Sequence, residues 1–155
     1  MSEITVLGIF VADISFSGPK IPSIGETILG KKYNVGPGGK GCNQAIAIAR
    51  LGGNTNFISK IGKDAYGELA LKTLEKNKIS TENIIQDGNQ QTGVAGILVD
   101  QNTGKNAINV IVGVEYVNCS TNICFTPSRY THTLVSSKTG SLIVKVKVEP
   151  SPVSY

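Results

Sequence analysis

A glycine-rich run that leads directly into an apolar helix constrains this chain more than any other feature. Residues 36–45 read GPGGKGCNQA, with four glycines among the first six positions. Glycine allows positive φ angles and close approach by a ligand, and the start of a helix presents the positive end of its dipole to that ligand. Lys40 and Asn43 add a charge and an amide to the first helical turn. The run therefore predicts a binding site at a helix N-terminus.

Length and composition exclude several classes of protein. With 155 residues, 40% of them hydrophobic and 17% charged, the chain suits one globular domain and is too apolar to be disordered. No apolar run approaches the roughly eighteen residues of a membrane span, so we expect no membrane partner. The net charge of +4 is spread over scattered basic residues without interleaved aromatic residues, which argues against nucleic-acid binding.

The N-terminus and the cysteines predict a cytoplasmic protein. The opening residues MSEI lack the basic and apolar segments of a signal peptide. Cys42, Cys119 and Cys124 are odd in number and have no metal-like spacing, and His132 has no partner ligand nearby. We therefore expect reduced thiols and no metal site. Cys42 is expected to pack at the helix start, where the helix N-terminus could lower its pKa.

The order of apolar runs and helical segments indicates an α/β domain with a small added sheet. Strands are predicted at 4–11, 27–35, 55–61, 92–100 and 106–112, an extended segment from 84, and helices at 43–51 and 65–76. Asp64 is predicted to be the N-cap of the second helix, and Gly52 with Gly53 to end the first. Residues 101–105 have the composition of a hairpin loop.

Asp13 is the first candidate ligand residue outside the glycine run. It is predicted to follow the first strand, and open α/β sheets bind ligands at the carboxyl ends of their strands. A carboxylate accepts two hydroxyl hydrogen bonds at once, which suits the vicinal diol of a sugar. From the residues alone, an aspartate that only stabilises a turn or caps a helix is the alternative, and it would be the simpler interpretation. Residues 92–97 offer small and apolar side chains that could pack against the carbon face of such a ligand.

The glycine run also fits, in part, two nucleotide motifs. Gly36, Gly38 and Gly41 match G-x-G-x-x-G, and Asp64 lies at a suitable distance to hold a ribose, as in a dinucleotide-binding module. That motif should directly follow a buried apolar strand, whereas residues 31–34 read KKYN. A Walker A loop would need a glycine at position 34 and Ser or Thr at 41, and the sequence has neither.

Five motifs in register resemble the ribokinase family of sugar kinases, also called the PfkB family. They lie, in chain order, at 8–13 (GIFVAD), 22–27 (PSIGET), 38–45 (GGKGCNQA), 61–67 (IGKDAYG) and 92–95 (TGVA). A single short motif is weak support, but five at the family's spacing indicate membership far more strongly. The resemblance covers residues 1 to about 113.

The resemblance implies a fold, an activity and a set of site residues. The fold would be a Rossmann-like parallel sheet with a small β lid. The activity would be ATP-dependent phosphorylation of D-ribose or a related sugar or nucleoside, with Mg²⁺ and a monovalent cation, and with a homodimer formed through the lid. The residues that match the family's sugar-binding positions are Asp13, Gly39, Lys40, Asn43, Ala95 and Ile97.

The resemblance ends before the family's catalytic motif. The general base of the family is the aspartate of a G-A-G-D motif, and this sequence contains no G-x-G-D. We therefore predict a truncated kinase that carries only the sugar-binding half in residues 1–113, followed by an unassigned tail at 114–155 in which 141–149 alternates like a strand. Without the remaining half, the sheet should expose an unpaired edge. A non-catalytic sugar-binding remnant stays open as an alternative.

Overall fold

The structure, a computed structural model, describes residues 3–114 and 142–145. Its elements in chain order are β1 (Glu3–Leu7), β2 (Val11–Gly18), β3 (Lys32–Gly38), α1 (Lys40–Arg50), β4 (Asn54–Gly62), α2 (Ala65–Lys76), β5 (Ile84–Asp87), β6 (Gly93–Asp100), β7 (Asn106–Ile111) and β8 (Leu142–Lys145). The predictions for Cys119, Cys124 and His132 lie outside the described residues. No helix in the described part of the chain is long and apolar enough to cross a membrane.

A four-stranded parallel sheet forms the first layer, with strand order β5-β4-β1-β8. The connections from β1 to β4 and from β4 to β5 each contain a helix and step across the sheet in the same direction. Right-handed crossovers then place both helices on one face of the sheet. Val6 and Phe57 are paired neighbours in the sheet, and they share one buried cluster with Ala45 of α1 and Leu74 of α2.

A second four-stranded sheet, with order β3-β2-β6-β7, forms the lid predicted from the sequence. β2 and β6 run parallel, while β3 and β7 lie antiparallel at the two edges. The lid is larger than the predicted hairpin, because β2 and β3 pair with β6 and β7 in one sheet. The loop between β6 and β7 has the predicted turn chemistry, since Asp100 accepts hydrogen bonds from the backbone of Asn102 and Thr103.

Two predicted strands were placed wrongly, and both errors concern the lid. The predicted strand 4–11 ends at Leu7, because Gly8 lies directly against Gly41 and the chain leaves the parallel sheet there; a Cβ on Gly8 would be 2.8 Å from Gly41 Cα. The predicted strand 27–35 is instead Lys32–Gly38, in register with Val11–Ser17 of β2. Asp13 therefore lies within a lid strand, not after a strand of the parallel sheet.

The helix predictions were closer to the structure. α2 has the predicted bounds, and its N-cap Asp64 accepts a hydrogen bond from Gly67 N at 2.8 Å. α1 begins three residues earlier than predicted, at Lys40, and the chain beyond it turns at Gly52 with φ +83°. At the far side of the parallel sheet β8 pairs with β1, so β8 and not β1 is the edge strand there.

Candidate functional site

The candidate site lies at the carboxyl end of β1, where the order of the strands reverses. β1, β4 and β5 step in one direction across the sheet, and β8 lies on the other side of β1. Such a reversal opens a crevice at the carboxyl ends of the strands, which is the usual ligand position in open α/β sheets. Gly8 follows β1 there, and its contact with Gly41 brings the start of α1 to the same place.

Gly39 joins the lid sheet to α1 and is the N-cap residue of that helix. Its φ of +87° favours glycine, and a Cβ at this position would lie 2.5 Å from the carbonyl oxygen of Ile9. No side chain caps the helix, and its first turn contains no acidic residue. The first-turn amides and the positive end of the helix dipole therefore remain available to a ligand with acceptor oxygens.

The Asp13 carboxylate projects from β2 over Gly38, immediately before this helix start. A Cβ on Gly38 would lie 2.1 Å from Asp13 Oδ1, so only glycine leaves room for the carboxylate. Desolvation by partial burial raises the pKa of Asp13. A half-buried carboxylate with a raised pKa beside a crevice is a frequent property of binding sites.

Ala95 and Ile97 lie on the same face of the lid sheet as Asp13. Ala95 pairs with Asp13 across β2 and β6, and Ile97 pairs with Ser15 two residues further along. Paired residues, and residues two apart along a strand, project from the same face of a sheet. The carboxylate is therefore flanked by a buried methyl group and a half-buried branched side chain, a surface suited to the carbon face of a sugar.

Lys40 and Asn43 project from the first turn of α1. They are three positions apart, so their side chains share one side of the helix, and both are exposed to solvent. The structure thus arranges the six predicted residues in two groups, one on the lid face and one at the start of α1. Gly38 and Gly39 connect the two groups. The ligand contacts of the six residues stay predictions.

Cys42 is a buried neighbour of Asp13 that the sequence suggested only as a packing residue. Its thiol is fully buried in the core cluster. Burial, with a smaller contribution from the negative charge of Asp13, raises the pKa of Cys42 to about 12. The lowered pKa considered from the helix position is therefore wrong, because desolvation outweighs the helix dipole here.

Asp64, the acidic residue of the alternative dinucleotide motif, is engaged in contacts within the protein. Its Oδ1 accepts from Gly67 N and Thr92 Oγ1, and its Oδ2 accepts from Thr92 N, each at 2.8 Å. Burial acts to raise the pKa of Asp64, but these hydrogen bonds outweigh that effect and the pKa is lowered. Because Gly36 and Gly38 also lie inside the lid strand β3, the geometry gives the dinucleotide alternative no support.

The prediction for the Thr92 side chain differs most from the structure. It was grouped with residues 92–97 as a ligand-facing side chain, yet it is only 4% exposed and binds Asp64. The two residues are 28 positions apart in the chain. No periodicity or motif spacing could have indicated this pairing.

Comparisons with known proteins agree with this architecture. Residues 1–118 match the family described as pfkB family carbohydrate kinase. Ribokinase of Mus musculus is 36% identical over 114 residues, and ribokinase of Bacillus subtilis is 37% identical over 115 residues; each alignment covers 74% of this chain. A structure of Arabidopsis thaliana ribokinase complexed with ribose and ATP superimposes with a TM-score of 0.65 at 33% identity over 73% of this chain.

The chain belongs to the pfkB family of carbohydrate kinases. It spans only part of its relatives, because the matched region is 35% of the mouse protein, 39% of the Bacillus protein and 37% of the Arabidopsis chain. The family membership and the α/β fold with its lid, predicted from the five motifs, are confirmed. The division at residue 113 stays a prediction.

Proposed function

We propose that this chain supplies the sugar-binding half of a ribokinase-type enzyme of the cytoplasm, whose reaction is ATP-dependent phosphorylation of D-ribose to D-ribose 5-phosphate. The observation that carries the proposal is the Asp13 carboxylate, half-buried over Gly38 beside the uncapped start of α1. A carboxylate that accepts two hydroxyl groups, next to helix amides that donate to hydroxyl oxygens, is complementary to a vicinal diol.

The six site residues would contact different parts of the sugar. Asp13, Gly39, Lys40 and Asn43 would bind its hydroxyl groups, and Ala95 and Ile97 would cover its carbon face. The lid face and the helix start lie on different layers of the fold. A sugar bound between them would therefore contact both layers at once.

The phosphoryl donor would be ATP, supplied with Mg²⁺ and with a monovalent cation as activator. Among the described residues, no group of three His, Cys, Asp or Glu side chains converges as a metal site would require. We therefore assign no metal ligand within residues 3–114 and 142–145. The sequence has no G-x-G-D aspartate to serve as general base, so we propose that the general base lies outside the sugar-binding half formed by residues 1–113.

Titration calorimetry of the purified chain with D-ribose tests the proposal. We expect saturable binding of D-ribose and none of L-ribose, whose mirror-image hydroxyl groups cannot meet the same partners. ATP turnover measured on the same sample separates a working kinase from a non-catalytic sugar-binding chain. Absence of D-ribose binding by a folded sample would refute the sugar site.

We also propose that two copies associate through the lid. On the lid face opposite Asp13, Phe16 pairs with Tyr33 and with Leu98, and Val35 lies two residues beyond Tyr33 on the same face; all four side chains are exposed. An exposed contiguous apolar surface of this kind is typical of an interaction site. A second copy would present the same surface, as a two-fold symmetric interface requires.

Sedimentation velocity checks the lid interface. We expect the parent chain to sediment as a dimer and Phe16→Ser to shift it to a monomer, because the polar side chain interrupts the apolar face. Ile24→Ser is the matched control, since Ile24 is fully exposed in the loop between β2 and β3. Equal sedimentation of the parent and the Phe16 variant would contradict an interface on this face.

A further inference from the structure

The lid sheet contacts the parallel-sheet layer at a second place besides the start of α1. We propose that this contact, which we call the joint (Gly62, Asp64, Gly67 and Thr92), holds the two groups of sugar-site residues in position relative to each other. The inference rests on the proposed sugar site. It makes Asp64 and Thr92 positioning residues that act through the lid strands and do not touch the sugar.

Hydrogen bonds across the joint link its two layers directly. Asp64 belongs to the turn between β4 and α2, and Thr92 is the residue immediately before β6 of the lid. Thr92 donates to Asp64 twice, from its backbone N–H and its hydroxyl, each at 2.8 Å. The same hydroxyl oxygen accepts from Gly62 N at 2.9 Å. The Thr92 hydroxyl therefore bonds only to the other layer, and the Asp64 carboxylate bonds both to Thr92 and to Gly67 of its own layer.

Glycines allow the backbone segments at the joint to approach this closely. A Cβ on Gly62 would lie 2.6 Å from Thr92 N, and a Cβ on Gly67 would lie 2.1 Å from the carbonyl oxygen of Gly62. Gly113, just beyond β7, is equally confined, because its Cβ would lie 2.1 Å from the carbonyl oxygen of Gln91. Distances this short leave no room for a side chain, so the close approach is specific to these glycines.

A cavity of about 490 Å³ lies beside the joint. Tyr66, Val94 and Ile111 are among the residues that line it, together with Asp64 and Thr92. Tyr66 and Val94 also pack against the core cluster, so the hydrogen bonds of Thr92 act together with this packing to align β6 with α2.

The joint and the site are connected through the lid strands. β6 runs from the joint to Ala95, and the pairing of Ala95 with Asp13 makes both move with the lid sheet. Lys40 and Asn43 instead belong to α1, which packs on the parallel sheet. A change of lid orientation at Thr92 would therefore move one group of sugar contacts relative to the other.

The first test measures D-ribose affinity by titration calorimetry for Thr92→Val and Thr92→Ser. Valine has the shape of threonine but leaves Gly62 N–H without its acceptor and Asp64 without one donor, and we expect the affinity to fall about tenfold, the loss corresponding to about one buried hydrogen bond. Serine keeps the hydroxyl and should bind like the parent. Ile79→Val, a core variant remote from the joint, should lose thermal stability without losing affinity.

The second test measures lid orientation without any ligand. Spin labels at Asn109→Cys in β7 and Ala47→Cys in α1, both exposed positions, report the distance between the layers by double electron–electron resonance. Cys119→Ser and Cys124→Ser remove two other thiols, and Cys42 is buried with a pKa of about 12, so it should stay unlabelled. We expect a wider distance distribution in Thr92→Val than in the parent, Thr92→Ser or Ile79→Val.

The two tests fail independently. A distance distribution in Thr92→Val as narrow as that of the parent would overturn the proposed role of the joint, whatever the D-ribose affinities of the variants are. A parent chain that binds no D-ribose would refute the proposed sugar site, while the distance measurement would still decide whether Thr92 orients the lid. Reduced affinity in Ile79→Val equal to that in Thr92→Val would also overturn the inference, because general loss of stability would then explain both.

Discussion

We expect the substitution Asp13→Asn to abolish the rise in melting temperature that D-ribose should give the parent chain. The substitution keeps the size of the side chain and removes its negative charge. Hydrogen bonds to a charged group contribute about 1.5–3 kcal/mol each, so weakening two of them lowers the affinity by about a hundredfold or more. At millimolar ribose, binding to the native state then no longer stabilises it measurably. Differential scanning calorimetry with and without ribose checks this.

The same variant should be at least as stable as the parent when ribose is absent. Desolvation raises the pKa of Asp13 above its value in the unfolded chain. The ionised carboxylate therefore lowers stability as the pH rises through the interval between the two pKa values, and at neutral pH that cost is fully present. Asparagine removes the cost. A variant of Asp13 that melts lower than the parent at neutral pH without ligand would contradict this assignment of the charge.

Glu75→Gln provides the matched control for charge. Glu75 is exposed on α2, away from the lid, and its substitution removes one negative charge as well. We expect the ribose-dependent shift to persist in this variant. Loss of the shift in both variants would point to net charge and not to the position of Asp13.

Replacing Gly67 with alanine should destabilise the fold strongly, although alanine normally stabilises a helix by about 1 kcal/mol relative to glycine. The new Cβ would lie 2.1 Å from the carbonyl oxygen of Gly62, a backbone atom that cannot rotate away. Separating the two segments costs about 1–3 kcal/mol in strain and disturbs the hydrogen bonds of the joint, each of about 1 kcal/mol. We expect a net loss of about 3 kcal/mol, and a fall in melting temperature of about 10 °C or more.

Gly96→Ala is the corresponding control within β6. A Cβ on Gly96 would have its nearest neighbour, Asn109 O, 4.0 Å away, so the methyl group fits without displacement. We expect its melting temperature to lie within a few degrees of the parent's, a change below about 1 kcal/mol. If the Gly67 variant melted as high as the Gly96 variant, this would contradict the close packing of Gly67 against the backbone of Gly62.

Local chemistry explains why parts of the fold were predictable from the sequence. α2 was predicted with the bounds it has, because Asp64 is a strong N-cap and its position before a helical segment needs no tertiary information. The hairpin loop at 101–105 was predictable for the same reason. The family followed from motifs whose spacing is visible in the chain, and these motifs also named the residues around the crevice.

Which strands form the lid sheet was not predictable, because strand pairing between distant segments has no local signal in the sequence. The strand 27–35 was predicted by its residue pattern, but its true position, Lys32–Gly38, is set by pairing with β2. Asp13 was assigned to the wrong sheet for a related reason: the break at Gly8 arises from contact with Gly41, 33 positions away. The Asp64–Thr92 hydrogen bonds and the raised pKa of Cys42 likewise depend on neighbours that only the folded chain brings together.

The parallel pairing of β2 with β6 has a consequence for how the chain folds. Val11 and Gly93 are register partners although they are more than eighty positions apart. Closing so long a loop costs conformational entropy before any contact compensates it, and such pairings form slowly. The unit β1–α1–β4–α2 contains shorter connections and can assemble first. β2, which carries Asp13, then pairs with β6 late, so a newly made chain should form its core before it forms the lid face proposed to bind the sugar.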